Sequence, residues 1–175
     1  FLTVALEETH GPSLPCRYRG AMAIFLVRHA KAESRSAWTD GDTTRPLTEE
    51  GHAQARMIAA SWAFQAPVAV WSSPRLRCVQ TVEPLAARFG LTVGIEPLLE
   101  EDTPFERILP VLEAAPESTV WSSHGDVIPD VMNALLRRGL LLTGSAGALK
   151  KGAMFVLHRE NDAFVRAEYV DSPRP

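Results

Sequence analysis

Short apolar runs alternate with amphipathic segments along most of this chain. Residues 23–27 and 67–71 are continuous apolar runs that suit buried strands, and residues 118–122 are predicted as another strand. Between them, apolar residues recur every three or four positions, which is the spacing of a helix with one buried face. Strands that alternate with helices form a parallel sheet. The pattern therefore predicts an α/β fold.

Four helices and three further strands complete this prediction. Thr48 is placed to cap the first helix, and Glu49 and Glu50 follow in its first turn, where carboxylates interact favourably with the helix dipole. Gly90 is predicted to end the second helix. The last two strands are predicted to meet at Glu160-Asn161-Asp162, in a hairpin at the edge of the sheet. The helices are predicted over residues 49–64, 74–89, 104–115 and 127–138, and the strands over residues 91–95, 152–158 and 164–170.

The length of the chain fits one domain. A chain of 175 residues can bury one substantial core but not two cores of typical size. Residues 1–21 contain glycine and proline without sustained periodicity, which predicts a poorly structured tail or linker. We expect the domain to cover residues 22–171 and a short polar tail to cover residues 172–175.

Composition and charge exclude several classes of protein. Apolar residues make up 46% and charged residues 22%, as in a globular protein. The net charge of -3 argues against a general nucleic-acid binder, which usually carries a basic excess. No apolar run is long enough to span a bilayer, so we expect a cytoplasmic protein without a membrane partner. Cys16 and Cys78 are too few for a disulfide framework, and Cys78 is expected to be a small buried residue.

Candidate catalytic residues follow the predicted strands. Arg28-His29 comes directly after the first strand, and the tetrapeptide Val-Trp-Ser-Ser occurs twice, at residues 70–73 and 120–123. Arg77 and His124 follow these two copies. Because ligands of parallel sheets bind beyond the carboxyl ends of the strands, all these side chains are expected at one edge. We interpret the repeated tetrapeptide as similar geometry at two strand ends.

Five motifs follow one another along the chain. They are Arg28-His29-Ala30, Arg45-Pro46-Leu47-Thr48 with Gly51 and Gln54, Ser72-Ser73-Pro74-Arg75-Leu76-Arg77, Ser123-His124-Gly125, and Gly152-Ala153-Met154. In this order they resemble the motifs of the histidine phosphatase superfamily, also called the phosphoglycerate mutase-like family, over most of residues 23–160. Most members have glycine at the position of Ala30, and alanine there resembles the small SixA-type branch. The family implies a three-layer α/β/α sandwich with a mostly parallel central sheet.

The resemblance implies catalysis by His29, which forms a phosphohistidine intermediate that water then hydrolyses. Arg28, Arg45, Arg77 and His124 are the implied phosphate-binding residues, and they would stabilise the charge of the phosphoryl group in flight. Guanidinium groups match phosphate oxygens in geometry and stay charged at physiological pH. We therefore expect no metal and no cofactor, and we expect Arg75 to be solvated.

The acid that protonates the leaving oxygen is ambiguous in the sequence. Glu100 fits a loose Leu-x-Glu pattern of the family, and Glu101, Asp102 and Asp126 are alternatives. SixA-type proteins often lack a clear acid. Phosphohistidine has a good leaving group, so an absent acid would indicate that substrate.

The sequence leaves three functions open. The first is a metal-independent SixA-like phosphatase acting on phosphohistidine proteins or small phosphoesters. The second is a non-catalytic module that binds a phosphorylated ligand. The third is a nucleotide phosphatase that forms part of a protein fused to a Nudix hydrolase, although residues 1–21 show no Nudix motif. The physiological substrate and the oligomeric state stay open.

Overall fold

A mixed sheet lies at the centre of the molecule. The computed structural model describes residues 23–61, 63–64, 66–144 and 148–175. Over these residues the sheet has seven strands in the order β3-β2-β4-β1-β6-β7-β5. They are β1 Ala23–Arg28, β2 Ala69–Ser72, β3 Val93–Ile95, β4 Thr119–Ser123, β5 Leu141–Thr143, β6 Met154–Glu160 and β7 Ala163–Val170.

Helices cover both faces of the sheet, as the three-layer prediction requires. Phe25 and Val27 of β1 pack in one apolar cluster with residues of α1 and α2. Ile24 and Leu26, which alternate with them, pack in a second cluster with residues of α3 and α4. A strand buried on both faces needs such a continuous apolar run. The helices are α1 Glu49–Ala59, α2 Leu76–Arg88, α3 Phe105–Ala114 and α4 Val127–Arg137.

The strands that lead into the candidate residues are parallel neighbours. Strand β4 lies between β1 and β2 and is parallel to both. The two copies of Val-Trp-Ser-Ser are paired in register, with Trp71 opposite Trp121 and Ser72 opposite Ser122. The repeated tetrapeptide therefore marks two adjacent strand ends. Among the described strand pairs, two are antiparallel: β6 with β1, and β7 with β6.

Helix α1 is shorter than predicted. It begins after Thr48, whose side chain accepts a hydrogen bond from the backbone of Gly51, as the capping prediction requires. It ends at Ala59, so the predicted end at residue 64 is wrong. Phe64 is buried with its ring 4.8 Å from that of Phe25, and the chain leaves the helix to place it there. Burial of an aromatic ring outweighs the helical periodicity.

The sheet edge also differs from the prediction. The hairpin between β6 and β7 forms as expected, and Asn161 and Asp162 adopt positive φ angles of 48° and 64° in its turn. It does not lie at the edge, however, because β5 pairs in parallel with β7. Strand β5 has three residues, two of them exposed, and so lacks the apolar run that identifies a buried strand.

Some sequence predictions lie outside the described residues. The tail predicted over residues 1–21 is one of them, and Cys16 falls within it. Every helix in the described part of the chain is too short or too polar to cross a lipid bilayer.

Candidate active site

The backbone of His29 is held by two distant segments of the chain. Its N–H donates to the carbonyl of Ser123 at the end of β4, at 2.9 Å. From the other side, the N–H of Gly152 donates to the carbonyls of Arg28 and His29, at 3.2 and 3.1 Å. Backbone hydrogen bonds from both sides fix the position of this residue at the carboxyl end of β1.

The side chain of His29 has a defined tautomer and no charge. Its Nδ1 lies 2.8 Å from the carbonyl oxygen of Ala30, which can only accept a hydrogen bond. Nδ1 therefore carries the proton, and Nε2 has a free lone pair. The pKa of His29 is lowered to about 3, mainly by burial, and the nearby His124, Arg77 and Arg28 contribute to this shift. At physiological pH the imidazole is neutral, and its Nε2 is available to act as a nucleophile.

Arg77 is fully buried and contacts two carboxylates. Its Nη1 lies 3.0 Å from Oδ2 of Asp42, and its Nη2 lies 2.9 Å from Oε2 of Glu101. Helix α2 provides this position in its first turn, directly after the second strand end. A buried guanidinium with donors directed toward oxyanions is suited to binding a phosphoryl group.

Asp42 joins the arginines of the site. Its Oδ1 accepts from Nε of Arg45 at 2.7 Å, in addition to its contact with Arg77. Burial acts to raise the pKa of Asp42, but the hydrogen bond from Arg45 and the charges of Arg77, Arg45 and Arg35 hold it well below its usual range. Sequence reasoning missed Asp42. The available signal is an acidic residue three positions before Arg45, which is the spacing of an i,i+3 pair.

Arg28 makes close contacts beside the His124 loop. Its Nη1 donates to the carbonyl of Leu149, and its buried Nε has no hydrogen-bond partner within the described ranges. A Cβ on Gly125 would lie 2.5 Å from the guanidinium carbon of Arg28. Glycine therefore follows His124 because Arg28 occupies the space of a side chain.

His124 lies beside His29. The rings of His29 and His124 are 5.6 Å apart between centroids, in an edge-to-face arrangement. A hydrogen bond of 2.8 Å joins Nε2 of His124 to Oγ of Ser73, a partner that sequence reasoning missed although it lies in the Ser-Ser-Pro motif. Burial lowers the pKa of His124 to about 3, and Arg77 contributes to the shift. The resemblance counts His124 among the residues that stabilise the charge of the phosphoryl group, and this environment keeps its ring neutral at pH 7.

The two neighbouring glutamates have different partners. Glu100 pairs with Arg75, with Oε1 2.7 Å from Nη2. Glu101 contacts Arg77, and its Oε1 lies 3.6 Å from Nδ1 of His124. The structure therefore places Glu101 among the candidate catalytic residues and Glu100 beside them. The side chain of Arg75 is only 19% exposed, so the expectation that it is solvated is wrong.

A cavity of about 310 Å³ opens at this edge of the sheet. His29 and Arg28 line it together with Glu101, and so do two of the acid alternatives named above, Asp102 and Asp126. The lining residues are Arg28, His29, Arg35, Glu101, Asp102, Gly125 and Asp126. Among the described residues, no three His, Cys, Asp or Glu side chains are grouped so as to hold a metal ion.

The segment from Arg45 to Gln54 supports the loop that follows His29. The N–H of Lys31 donates to Oε1 of Gln54, and the carbonyl of Lys31 accepts from the N–H and the hydroxyl of Thr48. A Cβ on Gly51 would collide with that carbonyl. Thr48, Gly51 and Gln54 therefore have a structural role, whereas Arg45 contributes a positive charge to the site.

Cys78 is a buried neighbour of this site. Its Sγ lies 3.5 Å from Nε2 of His124, and burial raises the pKa of its thiol to about 12. The thiolate is the nucleophilic form of cysteine, so Cys78 is inert at physiological pH. The prediction of a small buried residue is confirmed.

Comparisons with known proteins agree with this geometry. A sequence model of the histidine phosphatase superfamily (branch 1) matches residues 24–103. The chain is 30% identical over 157 residues to the 8-oxo-(d)GTP phosphatase of Mycolicibacterium smegmatis. That match covers 86% of this chain and 48% of the relative, so the chain spans about half the length of this curated relative.

Solved structures share the fold. One is a protein of Agrobacterium tumefaciens that carries the name phosphohistidine phosphatase SixA, with a TM-score of 0.66 and 21% identity over 89% of this chain and 99% of that one. Another is the protein histidine phosphatase SixA in complex with tungstate. Its TM-score is 0.64, with 20% identity over 88% of this chain and 97% of that one.

Proposed function

The chain belongs to the histidine phosphatase superfamily, and from this premise we propose that it is a phosphatase that forms a phosphohistidine intermediate on His29 and needs no metal. Its substrates would be small phosphoesters or phosphohistidine proteins. The proposal covers the reaction of this domain.

The tautomer of His29 is the observation that carries the proposal. With Nδ1 donating to the Ala30 carbonyl, the nitrogen with a free lone pair is Nε2. The same residue lines the cavity of about 310 Å³ together with Arg28, and the buried Arg77 lies close enough to lower its pKa. A neutral nucleophile surrounded by fixed cations is the arrangement that attack on a phosphate dianion requires.

The reaction has two steps. In the first, the Nε2 lone pair attacks phosphorus and the bond to the leaving atom breaks, which is oxygen in a phosphoester and nitrogen in a phosphohistidine. That atom takes up the electron pair and a proton. In the second, water attacks the phosphohistidine, the phosphorus–nitrogen bond breaks, and its electron pair returns to Nε2. Arg28, Arg45 and Arg77 stabilise the phosphoryl oxygens in both steps. The negative phosphoryl group also favours protonation of His124, which then contributes a positive charge.

Glu101 is our candidate for the proton donor, with Glu100 as the alternative that the sequence favours. Glu101 contacts both Arg77 and His124 and lines the cavity. A phosphoryl group that takes the donors of Arg77 displaces Glu101 from its ion pair and sets a negative charge beside it, which favours the protonated carboxyl. In the second step the Glu101 carboxylate accepts the proton of the attacking water.

Nucleotides are a second candidate class of substrate. The relative from Mycolicibacterium smegmatis is named for the hydrolysis of 8-oxo-(d)GTP, and the match covers 86% of this chain. A nucleotide would present its terminal phosphate to the same arginines.

The test is release of phosphate from p-nitrophenyl phosphate and from a phosphohistidine protein in the presence of EDTA. We expect turnover that vanadate inhibits and that His29→Ala abolishes. His52→Ala, on α1, is the matched control and should keep full activity. Turnover by His29→Ala equal to that of the unaltered protein would refute the nucleophile. A complete lack of turnover on every phosphorylated substrate would favour the binding module.

A further inference from the structure

A second cavity, of about 380 Å³, lies beside the active-site cavity. Arg28 and Gly125 line both of them. The guanidinium of Arg28 lies against Gly125, where a Cβ would be only 2.5 Å from its central carbon. The two cavities are therefore neighbours, and these two residues form their common boundary.

Helix α4 provides one wall of the second cavity. Pro129, Met132, Asn133 and Leu136 line it, and their spacing of three and four residues places them on one face of the helix. The helix begins three residues after His124. One continuous segment of the chain therefore carries both an active-site residue and this wall.

A second wall comes from β5, β6 and the segment between them. Leu142, Leu149 and Phe155 line the cavity on these three parts of the chain. The carbonyl of Leu149 accepts a hydrogen bond from Nη1 of Arg28. This wall is therefore joined directly to a residue that lines the active-site cavity.

The surface of the second cavity is mainly apolar. Among its lining residues that the structure describes, Arg28 and Asn133 have the polar side chains, and none is a carboxylate. The side chain of Leu136 is 38% exposed and Ala148 is exposed, so the cavity opens to solvent. Apolar surface that faces water is stabilised when an apolar group covers it. The lining therefore suits an apolar ligand better than a sugar or a second anion.

We propose that this cavity binds the leaving group of the substrate and selects an apolar one, about the size of an aromatic ring or a short alkyl chain. The inference rests on the proposed phosphatase function, in which Arg28 holds the phosphoryl group. An ester group that extends from phosphorus past Arg28 and Gly125 enters the second cavity. This narrows the substrates to small phosphoesters with an apolar ester group, because the polar imidazole of a phosphohistidine gains little from apolar walls.

Binding of inert phosphonates tests this without catalysis. Methylphosphonate is the reference, and butylphosphonate, benzylphosphonate and 3-phenylpropylphosphonate carry apolar groups of increasing reach. By calorimetry we expect at least one apolar probe to bind about tenfold more tightly than methylphosphonate, since burial of about 55 Å² of apolar surface provides a gain of that size. 3-Hydroxypropylphosphonate has the length of butylphosphonate but a polar end, and it should bind no more tightly than methylphosphonate.

Leu136→Gln places an amide in the wall of the cavity and should reduce the gain of the apolar probes by at least about threefold, with methylphosphonate affinity unchanged. Leu141→Gln is the matched control. It makes the same replacement beside the lining residue Leu142, at a side chain that is 69% exposed and does not line the cavity, and it should keep the full gain. Both positions are exposed, so the fold tolerates a polar side chain there.

Three results would overturn the proposal. The first is that no apolar probe binds more tightly than methylphosphonate, or that the hydroxyl probe gains as much as the best apolar one. The second is that Leu136→Gln keeps the full gain, and the third is that both variants lose it equally. Because phosphonates are not hydrolysed, the outcome is separate from whether p-nitrophenyl phosphate is turned over and from the effect of His29→Ala.

Discussion

The imidazole of His29 combines two properties that oppose each other in water. It lies among positive charges, which attract a phosphate, and those same charges together with burial keep it unprotonated. A histidine on the surface would be half protonated near pH 6.5, and the fraction with an unprotonated nitrogen would fall as the pH falls. The hydrogen bond to Ala30 adds the correct tautomer. The burial of the ring and the charges of Arg77 and His124 depend on contacts between distant segments, although Ala30 is adjacent in the chain. The motif around His29 therefore identifies the residue but not its protonation state.

At the same scale, the adjacent glutamates give a direct comparison. Glu101→Gln keeps the size of the side chain and removes the proton donor, so we expect kcat on an alkyl phosphate, whose poor alkoxide leaving group needs a proton, to fall by about 10²-fold, a typical contribution of general acid catalysis. Glu100→Gln, which loses only its pair with Arg75, should keep kcat within about twofold, since partly exposed ion pairs contribute little. Steady-state kinetics of both variants decides between the two glutamates. A larger loss of kcat in Glu100→Gln than in Glu101→Gln would identify Glu100 as the acid.

The elements of this fold were predictable where burial has a clear pattern. The run at residues 23–27 forms β1, and Thr48 caps α1 as its side chain requires. Strand β5 was not predictable, because three mostly exposed residues gain their structure from pairing with β7. The end of α1 depends on the distant ring of Phe25, which no local pattern reveals.

Gly51 offers a test at the level of one helix. In an isolated helix, glycine to alanine stabilises by about 1 kcal/mol. Here the added Cβ would collide with the carbonyl of Lys31, so Gly51→Ala should instead lower the free energy of unfolding by about 1–3 kcal/mol. Urea denaturation measures the change. Met57→Ala, at an exposed position on α1, should shift the free energy of unfolding by less than about 0.5 kcal/mol. An increase in stability for Gly51→Ala would contradict the steric account.

For the whole molecule, the buried histidines predict a loss of stability in acid. His29 and His124 have folded pKa values of about 3, below the unfolded value of 6.5, so the unfolded chain binds more protons between these limits. Their stabilising effect is complete above pH 6.5 and declines as the pH falls toward 3. Asp42, whose folded pKa is also lowered, acts in the same direction below its ordinary value.

We expect each of the two histidines to remove about 2 kcal/mol of unfolding free energy between pH 7 and pH 5. Urea denaturation across this range measures the slope, and His29→Gln should reduce it by roughly half if the two histidines dominate. A free energy of unfolding that is flat from pH 7 to pH 5 would show that the rings are not buried in the neutral form.

The candidate site was predictable in its residue types and less so in its connections. Arg28, His29, Arg77 and His124 follow strands that parallel pairing brings to one edge, so their meeting follows from topology. The roles of Asp42, Ser73 and Glu101 depend on side-chain directions in loops, which no periodicity encodes. Adjacent residues such as Glu100 and Glu101 differ only in which way the loop turns them.

The hydrogen bonds that hold the backbone of His29 come from Ser123 and Gly152, far along the chain. A nascent polypeptide that has emerged only as far as α3 contains this imidazole but neither of the segments that fix its backbone. The position of the ring therefore depends on the finished sheet rather than on the segment that carries it. Pairing of β6 with β1 brings Gly152 to the carbonyls of Arg28 and His29.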